Sequence, residues 1–121
     1  MFHGCRILVA EDEAIVAFEI AQAIEDTDGV VVGPVSSVRE GLALLAREDV
    51  DAAILDVNLT DRDVAPLAAA LLERRKPIVF YTASSIPAEI TARYGKMKVC
   101  GKPMPSEQLV LRLARLFEHV G

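Results

Sequence analysis

Glu11, Asp12, Asp56, Thr82 and Lys102 each follow a short apolar run, and together they could carry out phosphoryl chemistry. Clustered carboxylates raise one another's pKa unless something neutralises them. A hard divalent cation does this with oxygen ligands, and Mg2+ prefers few carboxylates, several waters and a phosphate oxygen. Glu11, Asp12, Asp56 and the backbone carbonyl of Asn58 are the candidate ligands. A metal held there screens an incoming phosphoryl group from the charge of its attacker, which makes Asp56 the candidate nucleophile. Lys102 would pair with one phosphoryl oxygen and the Thr82 hydroxyl would hydrogen-bond another. Ala83 is small and leaves room for the donor. Taken singly, each residue has a plainer reading: a strand-end Asp as a helix cap, Glu11-Asp12 as acids suited to a helix start, Thr82 as a turn, Lys102-Pro103 as a loop. Their recurrence at successive strand ends is what the plainer readings leave unexplained.

The elements that must position them alternate between short apolar runs and helical periodicity. Arg6–Ala10 reads as a strand, followed by Val16, Ile20, Ala23 and Ile24 at helical spacing. Asp28-Gly29 is a turn before a second strand over 30–35. Ser36 or Ser37 caps the next helix, with Glu40 placed for a capping box and Val38, Leu42 and Leu45 facing inward. Ala52–Leu55 is a third strand. A polar loop from Asn58 to Asp63 leads to a helix near 64–74, where Pro66 is tolerable because it lies in the first turn. Pro77–Tyr81 is a fourth strand, Pro87 to Tyr94 allows a short helix at most, and Lys98–Gly101 is a fifth strand. Ser106 is placed to cap a last helix carrying Leu109, Leu113, Leu116 and Val120.

Strands alternating with helices predict an α/β domain whose parallel sheet is covered on both faces, with one domain filling residues 1–121. The apolar strands support burial on both sides, and open parallel sheets gather functional groups beyond the carboxyl ends of their strands. At 121 residues and 52% hydrophobic content the chain can bury an ordinary core. The balance of 13 basic against 18 acidic residues gives a net charge of −5, which disfavours nucleic acid as a partner. The basic run Arg74-Arg75-Lys76 reads as a helix end. No apolar run has the length of a bilayer span, and the start lacks the anatomy of a signal peptide. A cytoplasmic location is expected, with Cys5 and Cys100 as reduced thiols.

The segments Ile7–Glu13, Ala53–Leu59, Phe80–Ala83 and Lys102-Pro103 resemble the receiver domains of bacterial two-component response regulators, over essentially the whole chain. The resemblance implies a doubly wound, flavodoxin-like five-stranded sheet of order 2-1-3-4-5, which separates Cys5 from Cys100. It implies Mg2+-dependent transfer of a phosphoryl group from a kinase histidine to Asp56, self-catalysed hydrolysis of the product, and a cis Lys102–Pro103 bond. The chain would then be no enzyme beyond its own phosphorylation and dephosphorylation. Its partners would be a sensor histidine kinase or a histidine phosphotransfer protein.

The chain departs from the family's pattern at Val99, where an aromatic switch residue is usual, and at Thr60 and Val64, where a Pro and a Gly are usual. Phe80–Ser85 resembles a variant of the Phe-Ala-Thr-Gly-aromatic-Tyr motif of a stand-alone subgroup with a poorly formed fourth helix. With Val99 unable to act as the rotamer switch, Tyr81 or Tyr94 is the candidate substitute. Ile15 and Phe18 on the first helix are the candidate kinase-docking residues. Val110, Leu111, Ala114 and Phe117 widen the apolar stripe of the last helix, which points to a homodimer or effector face. The alternatives are a pseudo-receiver that binds partners without phosphorylation, and a phosphoesterase; Asn58 stands where the latter would carry a second Asp.

Overall fold

A computed structural model describes residues 1–120, the side chains of residues 118–120 excepted. The elements run β1 (Arg6–Ala10), α1 (Ala14–Asp26), β2 (Val30–Val35), α2 (Val38–Leu45), β3 (Ala52–Leu55), α3 (Ala65–Glu73), β4 (Ile78–Thr82), α4 (Ala88–Tyr94), β5 (Lys98–Gly101) and α5 (Ser106–Val120). The strands pair in parallel in the order β2-β1-β3-β4-β5, the doubly wound arrangement expected from the sequence. Strand periodicity sorts the core into two halves. Leu8, Ala53, Leu55 and Phe80 pack toward α2, α3 and α4, whereas Ile7, Val9, Ile54, Val79 and Tyr81 pack toward α1 and α5. Among the described residues no helix is long and apolar enough to cross a membrane.

Burial on both faces holds for β1, β3 and β4 but not for the edges. β2 exposes Val30, Gly33 and Pro34, and β5 exposes Lys98 and Val99, because an edge strand has a neighbour on one side only. β4 starts at Ile78, one residue later than expected; Pro77 contributes its carbonyl, which accepts from the Ala53 N–H. The expected cis Lys102–Pro103 bond is present, and Gly33–Pro34 is cis as well. At Gly33 the backbone takes φ +94°, and a Cβ there would lie 2.9 Å from the Val35 nitrogen. The β1–β2 register slips at this point, from Leu8 opposite Val32 to Ala10 opposite Val35. Val35 thereby offers its carbonyl to the Glu11 N–H at 2.9 Å, which fixes the chain where the acidic residues begin.

The helices refine the sequence reading in several places. On α2 the cap is Ser37, whose Oγ accepts from the Glu40 N–H at 3.0 Å. The capping box is half formed, because the Glu40 carboxylate accepts from the Ser36 and Ser37 hydroxyls. Leu42 is 38% exposed rather than inward; Val38, Gly41 and Leu45 form the buried face. Leu59, within the loop expected to be polar, is buried in the core. α3 has Pro66 in its first turn and ends before Arg74-Arg75-Lys76, as expected.

α4 is a seven-residue helix, short as expected. Ser106 does not cap α5 but is its first residue; the Pro105 carbonyl accepts from Gln108 and Leu109. Val110 is 1% exposed and belongs to the core, while Ala114 and Phe117 pack against that core, Phe117 edge-on to Phe2. Of the four residues expected to widen the outer stripe, only Leu111 is exposed. The side chain of Val120 lies outside the described residues. Cys5 and Cys100 are both free thiols. Replacing Ser37 with Ala should cost about 1 kcal/mol of stability, the usual worth of an N-cap; urea unfolding should show a lower midpoint at an unchanged slope.

Candidate functional site

The carboxyl ends of β1, β3, β4 and β5 bring the sequence-predicted side chains to one edge of the sheet. Glu11 and Asp12 follow β1, Asp56 follows β3, Thr82 closes β4, and Lys102 follows β5. The Lys102 N–H donates to the Thr82 carbonyl at 3.1 Å and the Asp56 N–H to the Ala10 carbonyl at 2.9 Å, so backbone ladders set these positions. Oxygens of Glu11, Asp12 and Asp56 lie within 4.8 Å of one another. Lys102 Nζ stands among the acids, 2.8 Å from Glu11 Oε1 and 2.8 Å from Asp56 Oδ2. The outer side is taken by Glu13, 3.3 Å from Nζ. Glu13 had no assigned role in the sequence reading; its signal was the unbroken acidic run Glu11-Asp12-Glu13.

The loop between β3 and α3 is held from three directions. Asn58 Nδ2 donates to Ser84 Oγ at 2.7 Å, while Ser84 donates its N–H to Thr82 Oγ1 at 3.0 Å. Thr60 donates both its N–H and its hydroxyl to the Ser36 carbonyl, the first of which a proline could not supply. Asp61 accepts from the N–H groups of Val38 and Arg39, at 2.8 and 3.0 Å. These backbone donors at a helix start hold its carboxyl below the usual range. Val64 adopts φ −75°, so the backbone there does not require a glycine. Thr60, noted from sequence only as a departure, thus joins the loop to α2; Ser84 and Asp61 carried no distinguishing signal.

The acids differ in environment. Glu11 and Asp56 are buried, and Asp12 is exposed. Burial pushes Glu11 up to about 7; Lys102 opposes the rise, while Asp12 and the charge of Asp56 add to it. Burial also pushes Asp56 upward, but the Lys102 ammonium and the Thr82 hydroxyl favour its charged form more and hold it below the ordinary value. Lys102 loses solvation, yet its bonds to Asp56 and Glu11 hold its pKa above the usual range. Glu11 Oε1 is buried and, apart from its ion pair with the Lys102 ammonium, has no hydrogen-bond partner. Oxygen donors from three carboxylates, one of them unsatisfied, fit a hard divalent cation such as Mg2+.

A family model described as the response regulator receiver domain matches residues 7–114. This chain belongs to that family. The receiver domain is 32% identical over 117 residues to the transcriptional regulatory protein TcrA of Mycobacterium tuberculosis, which covers 93% of this chain and 46% of TcrA. Over 81 residues it is 32% identical to the transcriptional regulatory protein PdtaR of the same organism, covering 66% of this chain and 40% of PdtaR. It therefore spans less than half the length of these curated relatives. The solution structure of SdrG from Sphingomonas melonis Fr1 superposes with a TM-score of 0.79 at 34% identity, covering 97% of this chain and 99% of SdrG.

The raised Glu11 carboxyl fixes the sign of a pH effect. The folded receiver keeps that proton while the unfolded chain releases it near 4.5, so stability falls as pH rises from about 4.5 to about 7. Asp56 acts in the opposite sense, but only as pH drops through its depressed folded value, below 3.8. Metal-free protein should lose unfolding free energy across that Glu11 window, and Glu11→Gln should flatten the loss in urea melts at stepped pH.

Proposed function

We propose that this receiver domain serves a two-component or phosphorelay pathway by accepting a phosphoryl group on Asp56. The observation that carries this reading is the convergence of the Lys102 ammonium on the Asp56 and Glu11 carboxylates, 2.8 Å from each. Such a site can exchange one cation for another and can receive an anion beside Lys102. The donor is a histidine of a sensor kinase or a phosphotransfer protein, and the reaction takes place in the cytoplasm.

In the transfer, a carboxylate oxygen of Asp56 attacks phosphorus, the new O–P bond forms, and the P–N bond to the histidine breaks with its electron pair leaving on the imidazole. Glu11, Asp12, Asp56 and the Asn58 carbonyl would hold Mg2+, which supplies neutralising charge for the phosphoryl oxygens. The depressed pKa of Asp56 keeps it ionised and ready to attack. Lys102 swings from Asp56 to a phosphoryl oxygen, a charge-assisted bond that stabilises the transferring group. Thr82 turns its hydroxyl to another oxygen, and Ala83 leaves the approach open. Water reverses the modification at the same phosphorus, so the chain catalyses only its own phosphorylation and dephosphorylation.

The partner docks over α1, where Ile15 and Phe18 are 75% and 66% exposed. A groove of about 490 Å3 beside them is lined by Asp12, Phe18, Pro34 and Ser36 and leads to the acidic cluster. Output passes by protein contact or onward phosphotransfer. A homodimer or effector contact on the last helix would centre on Leu111. A second reading, a binding module indifferent to phosphorylation, draws support from Val99, 44% exposed at the usual switch position. Partner affinities unchanged by Asp56→Asn would favour that reading.

Incubation with acetyl phosphate and Mg2+ followed by intact-mass measurement should show one phosphoryl group per chain. Asp56→Ala or chelation of the metal should abolish it, and Lys102→Met should slow it roughly 100-fold, the scale of losing one oxyanion partner. Phosphorylation that survives Asp56→Ala would refute the assignment.

A further inference from the structure

Lys102 has a long, flexible side chain, and its value to the site depends on being held in one place. Its own N–H is anchored on the Thr82 carbonyl at 3.1 Å, but the backbone on either side gives it little further support. Gly101 before it has open space where a Cβ would stand, and Pro103 after it has no N–H to donate. The first N–H beyond Lys102 is that of Met104, and it donates to the Tyr81 hydroxyl at 2.9 Å. The same hydroxyl donates back to the Met104 carbonyl at 3.0 Å. A phenol has one hydrogen and can also accept, so this two-way bracket uses both capacities on a single residue.

The Tyr81 ring is buried on the face of β4 that packs toward α1 and α5. Its centroid lies 5.5 Å from Lys102 Nζ, within the range where a ring face attracts a cation. The ammonium therefore has the carboxylates of Glu11 and Asp56 for direct partners and an aromatic face close by.

We propose that Tyr81 is a positioning residue for Lys102, fixing the loop between β5 and α5 through Met104 and placing its ring beside the ammonium. The proposal rests on the phosphoryl-transfer reading for its consequence, though not for its geometry. Thr82, the other expected phosphoryl contact, is the next residue on the same strand, so one strand end sets both groups. The bracket also removes Tyr81 as a substitute rotamer switch, because turning its ring outward would break both bonds at once.

Two measurements on folded protein test this. In metal-free protein, competitive labelling with a small amine-acylating reagent, read peptide by peptide, should modify Lys102 roughly 25-fold faster in Tyr81→Phe, the worth of the two net hydrogen bonds lost. Lys96 and Lys98 serve as internal references whose rates stay constant, and Tyr81→Leu, which also loses the ring face, should exceed Tyr81→Phe. In the second measurement, phosphoryl uptake from acetyl phosphate should slow in Tyr81→Phe, and the slowing should vanish in a Lys102→Met background, the non-additivity expected when one residue acts through the other. Lys102 labelled at the wild-type rate in Tyr81→Phe, or slowing that persists undiminished without Lys102, would overturn the proposal. Wild-type protein that takes up no phosphoryl group, while Tyr81→Phe still frees Lys102, would sink the transfer reading and leave the positioning role standing.

Discussion

Glu11, Asp12 and Asp56 are held close together at one sheet edge with a single ammonium to compensate them, and the rest of the site follows from that imbalance. Negative charges so close together stay ionised only when a cation shares the space. Lys102 fills that role here by bridging the two buried acids. Burial raises both acids and their partners separate them: Glu11, with Asp12 and Asp56 adding to the rise, is pushed up to about 7, while Asp56, with Lys102 and Thr82 for partners, is held below the ordinary value. Two titratable groups of one chemistry are thereby driven apart by their surroundings, which is how a fold assigns different roles to similar side chains.

The scaffold that enforces this crowding is mostly backbone. Parallel ladders bring β1, β3, β4 and β5 to a common edge, and the irregular Gly33–Val35 segment of β2 returns a carbonyl to the Glu11 N–H. The loop after Asp56 is tied to α2 through Thr60 and Asp61 and to the end of β4 through Asn58 and Ser84. A change of charge at Asp56 would pull directly on two anchored connections, toward α2 and toward β4. That arrangement suits a local electrostatic event read out by a two-state element. Tyr94, the other tyrosine of interest, donates its hydroxyl to Glu73 and so ties α4 to α3.

The alternation of strands and helices and the five polar residues at strand ends were legible in the sequence because both depend on local signals, while the sheet order came from the family resemblance. Short β-branched runs mark buried strands, and an open parallel sheet gathers polar residues at the strand ends. The limits of β1, β2, β3 and β5 were read to the residue. What stayed hidden depends on contacts between distant segments. Leu42 and Val110 were placed on the wrong faces because apolar type alone does not say which side of a helix meets the core. The bulge in β2 is set by its register with β1, and the tether from Asp61 to α2 spans more than 20 residues of sequence. The Tyr81 bracket on Met104 could not be read either, since a tyrosine next to Thr82 near the end of a strand looks like ordinary strand packing.

In the proposed function, exchange of Lys102 between a carboxylate partner and a phosphoryl partner, with a metal taking over neutralisation, would join these parts into one device. The most direct measurement is a crystal structure grown with Mg2+ and beryllofluoride, a stable mimic of the bound phosphoryl group. The expected result places the mimic on Asp56, with the ion held by Glu11, Asp12, Asp56 and the Asn58 carbonyl, directly bound oxygens lying about 2.1 Å away, and Lys102 Nζ turned from Asp56 to a fluorine. Lys102 still bridging Glu11 and Asp56, with neither ion nor mimic beside it, would contradict the central claim.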